Sequence, residues 1–436
     1  MRVLFVANPE KAHVLAMVPL AWALRTAGHE VRFASTPWFA DTITRAGLTA
    51  VPVGRDADLW DQLRRGVPDW EYEPEFGLPA PYDCVQDQDP AGDDWARMRD
   101  GYAEIVRSWH KPACFPLMSG LVEFARSWQP DLVLWEPLAF AGPVAAQACG
   151  AAHGRLLWSY DAFGATRERF LRLKEQQPED RRTDPLAEWL GGWARRYGGG
   201  FDETMVTGQF TVDQLPGSLA ADTALPTVRM RFEPYGGPAV VPRWLWTPPA
   251  RPRVALTLGV SATDHGAGYA ISVADVLESL ADLDIEVVAT LAESEQAKLP
   301  RVPDNARLVS YVPLQALAPT CDAVIHHAGF GTFLTMARQP VPQLLLPWDF
   351  DGPVLARRAG EQGGSLVVPA DRATGASVRE AVLRLLSEPA FRERAAALRD
   401  EIGALPAPND VVARLEELAA RGRTPAAAAV PVPATA

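Results

Sequence analysis

The stretch Cys321-Asp-Ala-Val-Ile-His-His-Ala-Gly-Phe-Gly-Thr332 constrains the fold more than any other part of the chain. It reads as a short apolar strand, a turn with two glycines, and the start of a helix. Strands that re-emerge as helices in this way build parallel α/β sheets. A helix beginning near Thr332 leaves unpaired N–H groups in its first turn, where its dipole favours negative charge. Gly329 and Gly331 let the backbone come close to an anion there, and His327 adds a ring donor. The stretch predicts a phosphate or diphosphate site, although similar turns occur in α/β proteins that bind no such ligand.

Pro340 closes that helix, Val341-Pro-Gln-Leu-Leu-Leu-Pro347 forms the next buried strand, and the loop Trp348-Asp-Phe-Asp-Gly352 precedes a helix with Pro353 in its first turn. Two successive strand ends then face one crevice, which is where open parallel sheets bind ligands. One turn offers phosphate donors, and the other offers Asp351, a carboxylate suited to sugar hydroxyls. Together, His327-Ala-Gly-Phe-Gly-Thr332, Val341-Pro-Gln343, Pro347 and Asp351 resemble the donor-binding signature of nucleotide-sugar glycosyltransferases, in the bacterial branch that decorates antibiotics. The resemblance implies the GT-B fold, an α/β architecture of two Rossmann-like domains facing each other across a cleft. It also implies a nucleotide-sugar site that includes His327, Gly329, Phe330, Gly331, Thr332, Asp351 and Gly352.

A chain of 436 residues is too long for one ordinary core, so two or more domains are expected. Its composition, 48% apolar and 22% charged, supplies ample core material without any segment that reads as a membrane span. Met1-Arg-Val-Leu-Phe-Val-Ala7 stops at Asn8 and Pro9, which makes a first strand rather than a signal peptide, and a cytoplasmic location is expected. Cys84, Cys114, Cys149 and Cys321 are too scattered for a disulfide framework or a zinc site. A net charge of −12 argues against a nucleic-acid partner.

From the N-terminus, strand 2–7, a helix from Val14 to Ala27, strand Glu30–Ala34, helix 37–46 and a strand near Thr49–Val53 predict a Rossmann-like half. The first loop lacks the Gly-x-Gly-x-x-Gly spacing, and no Walker Gly-Lys-Ser/Thr is present, so NAD and ATP chemistry lose ground. His13 stands in the loop that opens the first helix, where the dipole favours a neutral imidazole able to act as a base. By position alone it reads equally well as a loop residue without chemistry. The resemblance implies that His13 is the general base, and Val18-Pro-Leu-Ala-Trp-Ala-Leu24 is similar to the helix of that family. Glu136 ends the apolar strand Asp131–Trp135 and is the candidate carboxylate partner for His13. Members of the family most often carry Asp at that strand end. The open alternative for Glu136 is a cap on a helix around Pro137–Gly142.

Residues 56–100 are acidic and aromatic without periodicity, with Trp60, Trp70, Tyr72, Phe76, Tyr82 and Trp95, and are expected to form a mobile acceptor lid with some helix. Asp56-Ala-Asp58 and Asp87-Gln-Asp89 match a metal-holding pattern of a different glycosyltransferase fold, but in so acidic a stretch such matches arise by chance, and no metal is expected. Helical runs at Ala165–Gln177 and Pro185–Tyr197 exceed what a sheet needs. Asp184–Leu190 and Phe201-Asp-Glu203 resemble macrolide-type transferases of deoxyaminosugars, several of which need a cytochrome-P450-like activator protein. A helical layer packing on its own domain is the other reading.

The Pro- and Gly-rich segment 236–252 is the expected linker between an acceptor domain, 1–235, and a nucleotide-sugar domain, 253–409. Ser261 follows the strand Arg253–Leu258 and is a candidate diphosphate contact. Strands are expected near Glu286–Ala289, Arg307–Val309 and Ala323–Ile325. Backbone groups near Val312 are similar to the family's contact to the nucleotide base. A helix within 410–423 is expected to cross back to the first domain, and 424–436 reads as a disordered tail.

The resulting expectation is an inverting, metal-independent glycosyltransferase without cofactors. Where glucosyl-transferring relatives carry Asp-Gln, this chain has Asp351-Gly352, and the missing amide disfavours a fully hydroxylated sugar. A dTDP-activated 6-deoxy sugar, with an aminosugar among the candidates, moved onto an apolar polyketide of macrolide type, follows. Trp158-Ser-Tyr160 and the lid aromatics are read as acceptor wall or plain core. The competing reading is a non-catalytic nucleotide-sugar-binding homologue or partner subunit, against which retention of both His13 and the 327–332 signature argues.

Overall fold

The computed structural model describes residues 1–56, 77–86, 94–259 and 268–424. Two wholly parallel sheets organise them. The first runs through β1 (Arg2–Val6), β2 (Glu30–Ser35), β3 (Ala50–Pro52), β4 (Leu132–Trp135), β5 (Ala152–Leu156), β6 (Thr211–Asp213) and β7 (Thr227–Arg229). Its spatial order is β3-β2-β1-β4-β5-β6-β7. The second comprises β8 (Arg253–Thr257), β9 (Glu286–Thr290), β10 (Ala306–Val309), β11 (Ala323–His326), β12 (Gln343–Leu345) and β13 (Ser365–Val367). Its order is β10-β9-β8-β11-β12-β13.

These strands are apolar runs because helices cover both faces of each sheet. β4, β8 and β11 are buried along their whole length, so their interiors show no alternation of polar and apolar residues, whereas the equally buried β5 carries His153 and Arg155, the latter paired with Asp161. In each sheet the order reverses beside the first strand, between β1 and β4 and again between β8 and β11. Loops after those strands part to opposite faces there and leave a crevice for a ligand. His13 and Glu136 follow β1 and β4, and Gly259 and His327 follow β8 and β11. The topology thus gives each half one crevice and fills it with the candidate residues.

The halves share packing as well as chain. Phe232, before the second sheet begins, meets Phe330 edge to face with ring centroids 5.6 Å apart. The helix Val412–Gly422 returns to the first sheet, burying Leu415 and Ala419 in one cluster with Val3 and Phe5. Its end is tied down by Gln209, whose amide donates to the Gly422 carbonyl at 2.9 Å, and by the Arg423–Asp131 pair at 2.6 Å.

The insertion between β5 and β6 forms helices Ala162–Glu175 and Pro185–Arg196. Buried Arg167 holds them together by donating to both oxygens of Asp184, at 3.0 and 2.8 Å, and to Glu203. Its removal would take the bidentate partner from buried Asp184, leaving it Lys174, and the partner from half-buried Glu203, so Arg167 serves the fold of the insertion.

Candidate active site

β1 delivers the chain to the first helix, Lys11–Thr26, which starts earlier than its apolar pattern begins and places His13 within the first turn rather than in the preceding loop. Apolar periodicity starts at Val14, whereas the helical backbone needs no apolar side chain for its first residues. His13 Nδ1 stands 3.6 Å from Glu136 Oε2, slightly beyond a normal hydrogen bond, with the His13 side chain 12% exposed and Glu136 fully buried. Such contacts are often long before substrate binds.

Glu136 does not cap the following helix, which runs from Ala141 to Cys149 behind Phe140. Its carboxylate is held instead by the amide of Asn8 at 3.3 Å, the amide of Leu138 at 2.9 Å and the indole N–H of Trp158 at 2.9 Å. Burial alone pushes this carboxyl up, but His13, the Leu138 amide and the Trp158 indole outweigh it and leave it below the usual range. Glu136 is therefore a buried carboxylate beside the imidazole, suited to orienting it and to stabilising a charge that it gains.

In the second half the helix after β11 spans Phe330–Ala337, two residues ahead of the expected start at Thr332. Its N-cap is Gly329, no side chain caps it, and its first turn carries no acidic residue. The N–H groups of Gly329 to Thr332 are thus arranged at a positive helix end. The His327 ring lies in a slot between two glycines: a Cβ on Gly259 would come 2.5 Å from its Cε1, and one on Gly329 would come 2.3 Å from its Nε2. Both positions must lack a side chain for the ring to sit there. Burial pushes the His327 pKa down, with Asp349 and the Thr257 backbone carbonyl opposing, so a neutral imidazole stands at the helix start.

Two residues with no predicted role shape this turn. Ala328 adopts a left-handed φ of 65°, which disfavours any residue with a side chain. His326 compensates, since its Nδ1 accepts the Ala328 amide at 3.2 Å while its Nε2 lies 2.7 Å from the Gln343 side-chain oxygen. His326 is buried and its pKa falls to about 3, which keeps Nδ1 an acceptor. Gln343 within the Val-Pro-Gln run was the available signal.

Asp351 precedes the helix Gly352–Gln362 but does not cap it. Its Oδ2 accepts the Tyr160 amide from the other half at 3.1 Å. Burial raises its pKa to about 6. Buried Gly352 has room for a Cβ, with the nearest atoms to an added one at 3.6 and 3.8 Å. The side chain of Val312 is buried in a cluster with Ala255, Val288 and Val324, so only its backbone is available to a ligand.

Ser261 lies outside the described residues, as do Asp58, Asp87 and Asp89 of the two Asp-x-Asp matches and Trp60, Trp70, Tyr72 and Phe76. Among the described residues, no group of three or more His, Cys, Asp or Glu side chains could hold a metal ion, and no helix is long and apolar enough to cross a membrane. The four cysteines are buried and form no disulfide. Tyr82 is buried and packs on Phe163 at 4.8 Å, and the partly buried Trp95 packs on Phe170 at 5.1 Å.

Models of the erythromycin biosynthesis protein CIII-like family match this chain over both domains, the N-terminal one at residues 22–259 and the C-terminal one at 274–418. The chain belongs to that family. It is 47% identical over 428 residues to 10-deoxymethynolide desosaminyltransferase of Streptomyces venezuelae, covering 98% of this chain and 99% of the relative. The 3-alpha-mycarosylerythronolide B desosaminyl transferase of Saccharopolyspora erythraea is 43% identical over 435 residues, covering 98% and 100%. Among solved structures, glycosyltransferase VinC in complex with dTDP superposes with a TM-score of 0.86 at 38% identity, covering 97% of this chain and all of that one. The fold is that of the GT-B glycosyltransferases, and glycosyltransferase activity goes with membership of the family.

Proposed function

We propose that the chain transfers a deoxysugar, with an aminosugar favoured, from a dTDP-sugar to a hydroxyl of an apolar polyketide, with inversion at the anomeric carbon. The observation that carries this reading is the Tyr160–Asp351 contact, because it brings the two strand-end crevices together at one place. His13 and Glu136 stand on the acceptor side of it, within 1–235. His327 and the helix start at Phe330 stand on the donor side, within 253–409, and 236–252 joins the two.

In this reading His13 Nε2 takes the hydroxyl proton as the acceptor oxygen attacks. The bond from the anomeric carbon to the diphosphate oxygen breaks, and its electron pair leaves with dTDP. His327 and the N–H groups of Gly329, Phe330, Gly331 and Thr332 take up the charge that develops there, so donor-side stabilisation needs no metal ion. Ser261 adds a further diphosphate contact, backbone groups near Val312 hold the base, and Asp351 accepts from sugar hydroxyls. Support for the substrate classes comes from the relatives, both named as desosaminyl transferases, and from the dTDP bound to VinC. A cytochrome-P450-like activator would dock on the helical insertion at 162–196.

The test is an assay of dTDP-deoxysugars against UDP-glucose over a polyketide aglycone panel, with and without such an activator and with and without a chelator. The reading expects a dTDP-deoxysugar to be preferred, the product to be inverted, and the chelator to have no effect. Preference for UDP-glucose would overturn the donor assignment, and equal rates with and without every activator would remove that partner.

A further inference from the structure

Trp158 follows β5 at the carboxyl edge of the first sheet, and its contacts are with the His13–Glu136 pair. Its ring lies face to face on the His13 imidazole, with centroids 3.6 Å apart and planes 12° from parallel. Its indole N–H donates to Glu136 Oε2 at 2.9 Å, the same oxygen that faces His13 Nδ1. One side chain therefore holds both members of the pair. We propose that Trp158 is a positioning residue for proton transfer: it fixes the rotation of the His13 ring, clamps the carboxylate that orients Nδ1, and offers a π face to the imidazolium that forms.

The physical need is visible in the residues. The terminal torsion of a histidine is broad, so a ring 12% exposed to a cleft needs a lateral contact to keep one orientation. A misplacement of about 1 Å at a reacting group can cost 10²-fold in rate. The carboxylate here is Glu, which has one more rotatable bond than Asp, and that extra torsion must be restrained. Two backbone amides, from Asn8 and Leu138, leave the indole N–H as the side-chain donor on Glu136. A cation over an indole face is stabilised by the ring quadrupole, so the stack favours the protonated ring once the acceptor has attacked. The charged groups acting on His13 are Glu136 directly and Asp351 from the opposite half, which lies within its electrostatic reach.

This proposal rests on His13 being the base, and the experiment separates the two. Full-length Trp158→Phe, which keeps a ring and loses the N–H, Trp158→Leu, which loses both, His13→Ala, and His13→Ala with Trp158→Leu are compared. The measurements are kcat, acceptor KM, the pH profile of kcat/KM, and dTDP affinity as a check on folding. Trp158→Leu is expected to lower kcat by about 10- to 100-fold, with acceptor KM little changed and the acid limb of the profile moved to lower pH. Trp158→Phe should fall between it and the unmodified protein, and it carries the test if Trp158→Leu does not fold. In the His13→Ala background, Trp158→Leu should have no further effect. A rise in acceptor KM alone, an unmoved acid limb, or an added loss in the double variant overturns the role of Trp158. Full activity of His13→Ala overturns the reading beneath it.

Discussion

Gly329→Ala should weaken dTDP binding by about 10- to 150-fold without unfolding the protein. The backbone at Gly329 has φ −62° and ψ 136°, extended values open to any residue, so the substitution carries no conformational cost of its own. The added methyl group would stand 2.3 Å from Nε2 and 3.0 Å from Cε1 of His327, where ordinary contact begins near 3.4 Å. The ring must retreat by about 1 Å to restore ordinary contact, and Gly259 closes the slot behind it, its own Cβ position lying 2.5 Å from Cε1. A hydrogen bond to a charged group, worth about 1.5–3 kcal/mol, is broken by such a shift. Calorimetric titration of the full-length variant with dTDP reads the loss, and thermal denaturation confirms the fold. Undiminished affinity in a folded Gly329→Ala protein would refute the placement of the diphosphate beside His327.

Two further outcomes follow from the same geometry. Gly352→Gln should fold, because a Cβ there meets only ordinary contacts, and should shift preference toward a fully hydroxylated sugar by about 10-fold or more, read as the ratio of kcat/KM for two donors; an unchanged ratio would end the specificity argument. Asp351 has its pKa raised to about 6 in the fold from an ordinary 3.8, so the native state holds more protons than the unfolded chain between those values and loses stability as pH rises through the window. Asp351→Asn should therefore gain stability relative to the parent across pH 4 to 6, by up to about 3 kcal/mol, and the gain should level off above. A difference in melting temperature that is constant with pH would contradict this.

Much of the architecture was legible because parallel strands buried on both faces are short apolar runs, and the turns after them carry glycine and proline. β8, β11 and the helix after His327 were readable in this way. The helix start at Phe330 was missed by two residues because its cap is the bare backbone of Gly329, which leaves no capping side chain to read. The strained turn at Ala328 was invisible, since alanine gives no sign of a left-handed φ and the restraint comes from His326 and Gln343. Glu136 was expected beside His13 and stands 3.6 Å from it, but the clamp on it was not foreseen. That clamp depends on β5 lying next to β4, and β4 next to β1, an order that places Trp158 over His13.

The account rests most directly on the turnover of His13→Ala at saturating donor and acceptor, with dTDP affinity measured on the same preparation. General-base removal should lower kcat by about 10²- to 10⁴-fold while dTDP affinity stays within about 2-fold, since His13 and the His327 turn belong to different halves of the fold. Full turnover in the variant would contradict the central claim that His13 takes the proton of the acceptor hydroxyl.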